Sequence, residues 1–327
     1  MDSLPSVVLP PPLRTGDQII VIAPSRAIDH AALQPWAEWM HCRGYQVLYG
    51  ASIGVRDHQF GGSDALRTRD LQEALSNPEI RAIFFARGGY GAARLLDRVE
   101  WKVLQENPKW LCGYSDATAI LNHAHAITGV VALHGPMPFQ FNSALDMESP
   151  NSELGRANLN WEHTLQIMEG GLIDRNPNDP PRTIYPFEPK ILSKHSASAI
   201  WPLQGKLIGG NLSVLYSLMG SSSLPDSQDA ILFVEDLDEY LYHLDRMWLA
   251  LQRSGYLNRL KAILIGNFTE MRDNTIPFGK EPASIAVERT QSLGIPCIAG
   301  LSFGHGPVNN PLPLGWTVTI DREGLSW

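Results

Sequence analysis

The first ordered pattern in the chain is QIIVIAP at 18–24, an uninterrupted apolar run of the kind required by a strand buried on both faces. Further strands are expected at YQVLYG (45–50), RAIFFA (81–86), Trp110–Leu111–Cys112 and VVALH (130–134). Between them the pattern switches to a helical period. One helix runs from about Asp29 to Cys42 and is closed by Arg43-Gly44. A second follows Ser63, a plausible N-cap, with Leu66, Leu71 and Leu75 at helical spacing. RGGYGAARLLDRV turns into a third helix, and an amphipathic fourth runs from the GYSD turn to about Thr128. Repeated strand–helix alternation predicts a parallel sheet covered by helices on both faces, with chemistry gathered outside the carboxyl ends of its strands.

Residues 137–205 break that rhythm with many Pro, Asn, Asp and Ser residues, including RNPNDPPRTIYPFEP, and one modest helical stretch around 153–169. They read as a linker plus a substrate-facing excursion. Alternation then resumes. GKLIGGNLSVLYSLMGS (205–221) leads through glycines into an apolar helix, and AILFVED (230–236) is a buried strand. A helix over 240–255, the strand KAILIGNF, a helix over 282–294 and short strands at 295–300 and 316–321 complete the chain. The expected fold is α/β: an N-terminal parallel sheet flanked by helices (1–150), a linker and excursion (151–204), and a smaller, mostly β C-terminal α/β domain (205–327), with the site between the two domains.

Composition narrows the function classes. A chain of 327 residues exceeds one typical core, which favours two domains. A net charge of −8 with no basic block argues against nucleic acid as the main partner. No apolar run reaches the roughly 18 residues a membrane span needs. MDSLPSVVLPPPLRTGD lacks the basic and apolar segments of a secretory signal. The three cysteines, Cys42, Cys112 and Cys297, lie far apart, which suits free thiols in a reducing compartment. A cytoplasmic location is the expectation.

The candidate chemistry sits at strand ends. Ser115, in GYSD, lies between a strand and a helix, where unpaired amides point towards incoming negative charge. It suits an acyl-transfer nucleophile, with the Asp116 amide placed for the oxyanion; the competing reading is that Ser115 merely caps the helix. RGGYGAAR (87–94) fits a phosphate-binding glycine loop only in part, since Arg94 occupies the third glycine position. It reads either as a tight turn or as the source of a second oxyanion donor, the Gly89 amide. Glu235 is the first polar residue after Ala230–Val234, whereas Asp236, Asp238 and Glu239 fit a solvated acidic edge. His305 lies between two glycines in FGHG, which suggests a mobile and exposed imidazole. His134 ends a strand and is the reserve base; His123 and His125 face different directions, and His243 reads as structural. There is no HExxH or CxxC, so neither a metal nor any other cofactor is indicated. Ser115, Glu235 and His305 thus occur in the order nucleophile, acid, base. GYSD is not the G-x-S-x-G elbow of α/β-hydrolases.

These blocks, together with GGSDALRTRDLQEAL, LHGPMP, GKLIGGNLSVL and ILFVEDLDEYLYHLDRMW, resemble the LD-carboxypeptidase family of serine peptidases, which includes the microcin C immunity peptidases. The resemblance covers nearly the whole chain. It places the family's serine, glutamate and histidine on Ser115, Glu235 and His305. It implies a metal-free, cytoplasmic homodimer that hydrolyses the amide before a C-terminal D-amino acid, releasing D-alanine from murein tetrapeptide in cell-wall recycling. Arg87, Tyr90 and Arg94 are the candidates for substrate contacts. The long proline-rich 176–202 segment departs from the family's plainer members. Two other readings stand beside the main one. An immunity-type peptidase acting on aminoacyl or peptidyl nucleotides would need an aromatic platform, for which Trp161, Tyr185, Phe187 and Trp201 are available. A non-catalytic muropeptide-binding module is the other.

Overall fold

The computed structural model describes residues 5–141, 153–172, 183–193 and 201–327. The first half alternates as β1 (Gln18–Ile22), α1 (Gln34–Cys42), β2 (Gln46–Tyr49), α2 (Asp64–Ser76), β3 (Ile80–Phe85), α3 (Lys102–Glu106), β4 (Trp110–Gly113), α4 (Thr118–Thr128) and β5 (Ala132–His134). Strands β5-β4-β3-β1-β2 are parallel. After α5 (Glu153–Gln166) come β6 (Thr183–Pro186), β7 (Lys190–Ile191), β8 (Leu203–Asn211), α6 (Leu212–Ser217), β9 (Ala230–Leu237), α7 (Leu241–Arg253), β10 (Ala262–Thr269), α8 (Pro282–Gln291) and β11 (Cys297–Ala299). The chain ends in β12 (Leu312–Leu314), β13 (Thr317–Ile320) and β14 (Gly324–Ser326).

Among the described residues the second sheet has the order β6-β14-β13-β8-β9-β10-β11-β7. Its centre, β8-β9-β10-β11, is parallel, and antiparallel strands extend both edges. The central strands of both sheets are largely apolar because helices cover them; β1, β3, β4 and the first part of β9 are almost wholly buried. One strand crosses between the halves: β12 returns to pair antiparallel with β5 at the edge of the first sheet. None of the described helices is long and apolar enough to cross a membrane.

Several details differ from the sequence pattern. The segment after the glycine loop forms a tighter 3₁₀ turn, Ala92–Arg98, instead of an α-helix. Ser63 does cap α2, accepting from the Leu66 amide at 3.2 Å. The buried face of that helix, however, carries Arg67 and Asp70 beside Leu71, Ala74 and Leu75. Asp70 accepts from the Ala51 and Ser52 amides, both at 2.9 Å. Arg67 has a fully buried side chain; it donates to the carbonyls of Pro24, Gly62 and Gly91 and pairs with Asp64. Asp70 thus fastens the loop after β2, and Arg67 ties together the loops after β1, β2 and β3. Most of the 176–202 segment lies outside the described residues.

Arg67→Met should lower stability by about 3 kcal/mol, because three buried carbonyls and a carboxylate lose one shared donor. The urea midpoint measures this, and a midpoint within error of wild type would remove Arg67 from this role.

Candidate active site

Ser115 follows β4 with its backbone in the left-handed region, φ 58°. That conformation costs a non-glycine residue roughly 1–2 kcal/mol and is found where the surrounding structure imposes it. Two neighbours impose it here. The Asp116 side chain is buried and accepts from the Ser25 hydroxyl at 2.5 Å and the Ala92 amide at 2.9 Å. This ties the serine turn to the end of β1 and to the glycine loop. Gly88 lies against the serine: a Cβ there would stand 2.8 Å from both Cβ and Oγ of Ser115. The capping reading is not met, since neither the Ser115–Ala117 turn nor α4 carries a side-chain cap. The amides of Gly88 and Gly89 donate to no backbone carbonyl among the described residues.

His305 reaches this place from the other sheet. Its Nδ1 lies 2.6 Å from Glu235 Oε2, and its own amide donates to the same oxygen at 3.1 Å. Glu235 is fully buried towards the end of β9. The flanking glycines do not make the histidine mobile, as the sequence suggested. The imidazole is only 12 % exposed, and Gly304 leaves the space Glu235 occupies, because a Cβ there would fall 2.4 Å from Glu235 Cγ. The Tyr114 ring packs 4.7 Å from the imidazole, and Gln140 holds the tyrosine hydroxyl at 2.6 Å. Burial works against protonation of His305, but the charge and hydrogen bond of Glu235, helped by Asp236 and Glu270, outweigh it and raise its pKa above the ordinary imidazole range.

Asp236 points to the opposite face of β9, as alternate strand residues must. Asn211 Nδ2 and the Ser213 amide each donate to it at 2.9 Å. Burial and the adjacent Glu235 push its pKa up to about 7. Of the expected acidic edge, Asp236 is therefore buried, while Asp238 pairs with Arg272 and Glu239 with His243. The reserve base His134 is sealed among Tyr114, Phe233 and Phe303, and burial pushes its pKa down to about 4.

Ser115, Asp116, Gly89 and His305 line one cleft of about 440 Å³, together with Arg26, Arg87, Asp236 and Glu239. No hydrogen bond joins Ser115 to His305, and catalytic contacts of this kind often tighten only with substrate in place. Of the expected substrate contacts, Arg87 lines the cleft. Arg94 is instead bound to Asp64 at 2.6–3.0 Å, and Tyr90 lies at the surface beside Phe60; neither lines it. The sequence reading passed over Arg26, which follows β1 with no motif around it. Of the aromatic candidates, Trp161 is core, stacked among Trp36, Trp39 and Phe84, and Phe187 and Trp201 also pack against the core. The Tyr185 side chain lies outside the described residues. A second hollow of the same volume, near Lys206 and Arg259, contains no hydrogen-bonded imidazole–carboxylate pair. No cluster of three metal-ligating side chains occurs among the described residues.

Residues 19–135 match the LD-carboxypeptidase N-terminal domain and 204–320 the LD-carboxypeptidase C-terminal domain. The chain is 28 % identical to the murein tetrapeptide carboxypeptidase of Pseudomonas aeruginosa, covering 95 % of each chain. It is 26 % identical to the microcin C7 self-immunity protein MccF of Escherichia coli, over 97 % of this chain and 94 % of that one. The crystal structure of muramoyltetrapeptide carboxypeptidase from Oxalobacter formigenes superposes with a TM-score of 0.75 at 27 % identity, covering 94 % of this chain and 96 % of that one.

Gly88→Ala should push the serine hydroxyl out of line and reduce peptidase turnover about 100-fold while leaving the fold intact. Steady-state kinetics beside a urea titration test this; wild-type turnover in a folded variant would show that the contact does not position Ser115.

Proposed function

The chain belongs to the LD-carboxypeptidase family, a family of peptidases, and we propose that it is a serine-type, metal-independent LD-carboxypeptidase. The proposed substrate is murein tetrapeptide, with D-alanine released in cell-wall recycling. The observation that carries this reading is one cleft holding a serine in a strained left-handed turn and an imidazole bound at 2.6 Å to a buried glutamate.

Glu235 accepts from Nδ1–H of His305, which fixes the tautomer with a free lone pair on Nε2. Nε2 takes the Ser115 proton as Oγ attacks the carbonyl before the terminal D-residue. The Gly89 and Asp116 amides receive the oxyanion. His305 then returns the proton to the departing amine, and a water activated by the same imidazole hydrolyses the acyl-enzyme. Activation comes from imidazole and carboxylate, so no Lewis acid is required. The reading extends to a homodimer in the cytoplasm, where three unpaired cysteines are at ease. Identity to the murein tetrapeptide enzyme over nearly the whole chain supports the substrate class. The immunity-type reading has less support, because its aromatic candidates with described side chains pack in or against the core.

The first test is D-alanine release from an L,D-linked murein tetrapeptide. Ser115→Ala should lose at least about 1,000-fold in kcat and keep its fold, and EDTA should leave the wild-type rate unchanged. Equal release by variant and wild type would exclude Ser115 as nucleophile, and loss with EDTA would overturn metal independence.

A second test uses pH. Neutral His305 is the active form, so kcat/KM should fall as pH drops through its raised pKa. Glu235→Gln removes the largest favourable charge, so the acid limb should move to lower pH while kcat falls roughly 100- to 10,000-fold. An unmoved acid limb would show that another group governs it.

A further inference from the structure

An exopeptidase must recognise the charged end of its substrate, and the cleft gathers cations beside Ser115, where the one acid, Asp116, is buried and bonded to Ser25 and the Ala92 amide. Arg26 and Arg87 both line it beside Ser115. Arg56 lies close enough for its charge to act on Arg87. Among the described residues no carboxylate forms an ion pair with any of the three, whereas Arg67, Arg94 and Arg98 all share Asp64. The Nε of Arg87 is buried and has no hydrogen-bond partner. Its nearest polar contact is a long one, 3.4 Å from Nη1 to the Ala27 carbonyl. The Phe139 ring lies 5.5 Å from its guanidinium carbon. A half-buried guanidinium with an open donor, next to a second cation, is short of an anion.

The glycine loop sets the spacing. Gly88 is pressed against Ser115, and the next residue, Gly89, is crossed by the Arg26 side chain. A Cβ on Gly89 would lie 2.4 Å from Arg26 Cγ and 2.9 Å from its Nε. Nucleophile and guanidinium are thus set against consecutive residues, whose Cα atoms stand about 3.8 Å apart. A peptide cleaved before its last residue has the same separation, with the terminal carboxylate one residue beyond the scissile carbonyl. The acids that the second sheet brings to the cleft, Asp236, Asp238 and Glu239, are bonded to Asn211, Arg272 and His243 and not to these arginines. Resting on the carboxypeptidase reading above, we propose that Arg26 and Arg87 form the subsite that binds the C-terminal carboxylate of the substrate and so make the enzyme an exopeptidase.

The test compares murein tetrapeptide with its C-terminal amide. Wild type should prefer the acid in kcat/KM by about 100-fold, the scale of one charge-assisted guanidinium–carboxylate contact. Arg87→Gln and Arg26→Gln should each reduce that preference at least 10-fold, and Arg87→Lys should restore part of it. Arg94→Gln, which alters a pair outside the cleft, should keep the wild-type preference. Calorimetric binding of the same two peptides to folded Ser115→Ala protein, with and without each arginine change, provides a readout independent of turnover. Failure of wild type to cleave either peptide, with acid-selective binding that depends on Arg26 and Arg87, would overturn the reaction and leave the subsite standing. Equal loss on acid and amide, or no acid preference in both turnover and binding, would overturn the subsite.

Discussion

Nucleophile and base belong to different sheets, so the site depends on what holds the two sheets in register. The contact is a small buried clasp at the start of α4. The Asn211 amide at the end of β8 donates to Thr118 Oγ1 at 3.0 Å, and Asn122 Nδ2 donates to the Gly209 carbonyl at 2.9 Å. Asn211 then passes the connection on through its side-chain amide to Asp236, the residue after Glu235. Helix α4, which begins just after Ser115, is thereby joined to the strand that carries the base's carboxylate. These groups are buried, so each bond lost if the sheets slid apart would leave burial less well compensated. Such a clasp is directional in a way that the surrounding apolar packing is not.

Within that frame, space and charge are allotted residue by residue. Alternation along β9 sends Glu235 to the imidazole and Asp236 to the clasp, so two adjacent carboxylates take unrelated tasks. Burial, with the adjacent Glu235 charge, raises the pKa of Asp236 to about 7. Glu235 stays hydrogen-bonded to the histidine that needs it. The strain at Ser115 is maintained by the bonds of Asp116 to Ser25 and Ala92, which come from the ends of two other parts of the first sheet. The nucleophile turn is therefore over-determined, as a strained backbone in a stable protein has to be.

The parallel cores were legible because strands buried on both faces must be apolar at every position, and a run such as QIIVI or AILFV has few other uses. Glu235 stands out as the first polar residue after an apolar run, Ser115 as a serine between a strand and a helix, and His305 by the glycines on either side of it. What stayed hidden depends on pairing that no local pattern encodes. The charged buried face of α2 lowers the helical periodicity that sequence reading relies on, because Arg67 and Asp70 are buried to serve loops from elsewhere in the chain. β12 is three residues long with a central proline, so nothing in it announced a return to the first sheet. The glycines around His305 were read as freedom, when Gly304 instead provides room for a carboxylate seventy positions earlier. Arg26 is silent in the sequence, and Arg94 stands among the candidates there, for the same reason. Proximity to a glycine motif is visible in sequence, whereas the Asp64 carboxylate that neutralises Arg94 is visible only in space.

The cleft is polar in a vector sense, and that follows from its two-sheet origin. Loops from the first sheet contribute Arg26, Arg87, the serine and the buried Asp116; the second contributes the histidine and Asp236, Asp238 and Glu239. The chain as a whole is acidic at −8, so an arginine cluster with no carboxylate partner among the described residues is a local exception that focuses the field where the glycine loop leaves room. Proton transfer is thereby separated from anion recognition. If the carboxylates that raise the pKa of His305 stood beside the substrate-binding cations, each would screen the other. Drawing them from different sheets lets His305 retain its partner and leaves the arginines open. A peptide lying between the walls then meets charge of the right sign at its terminus and a base at its scissile bond, and it does so only when the clasp keeps both walls in place.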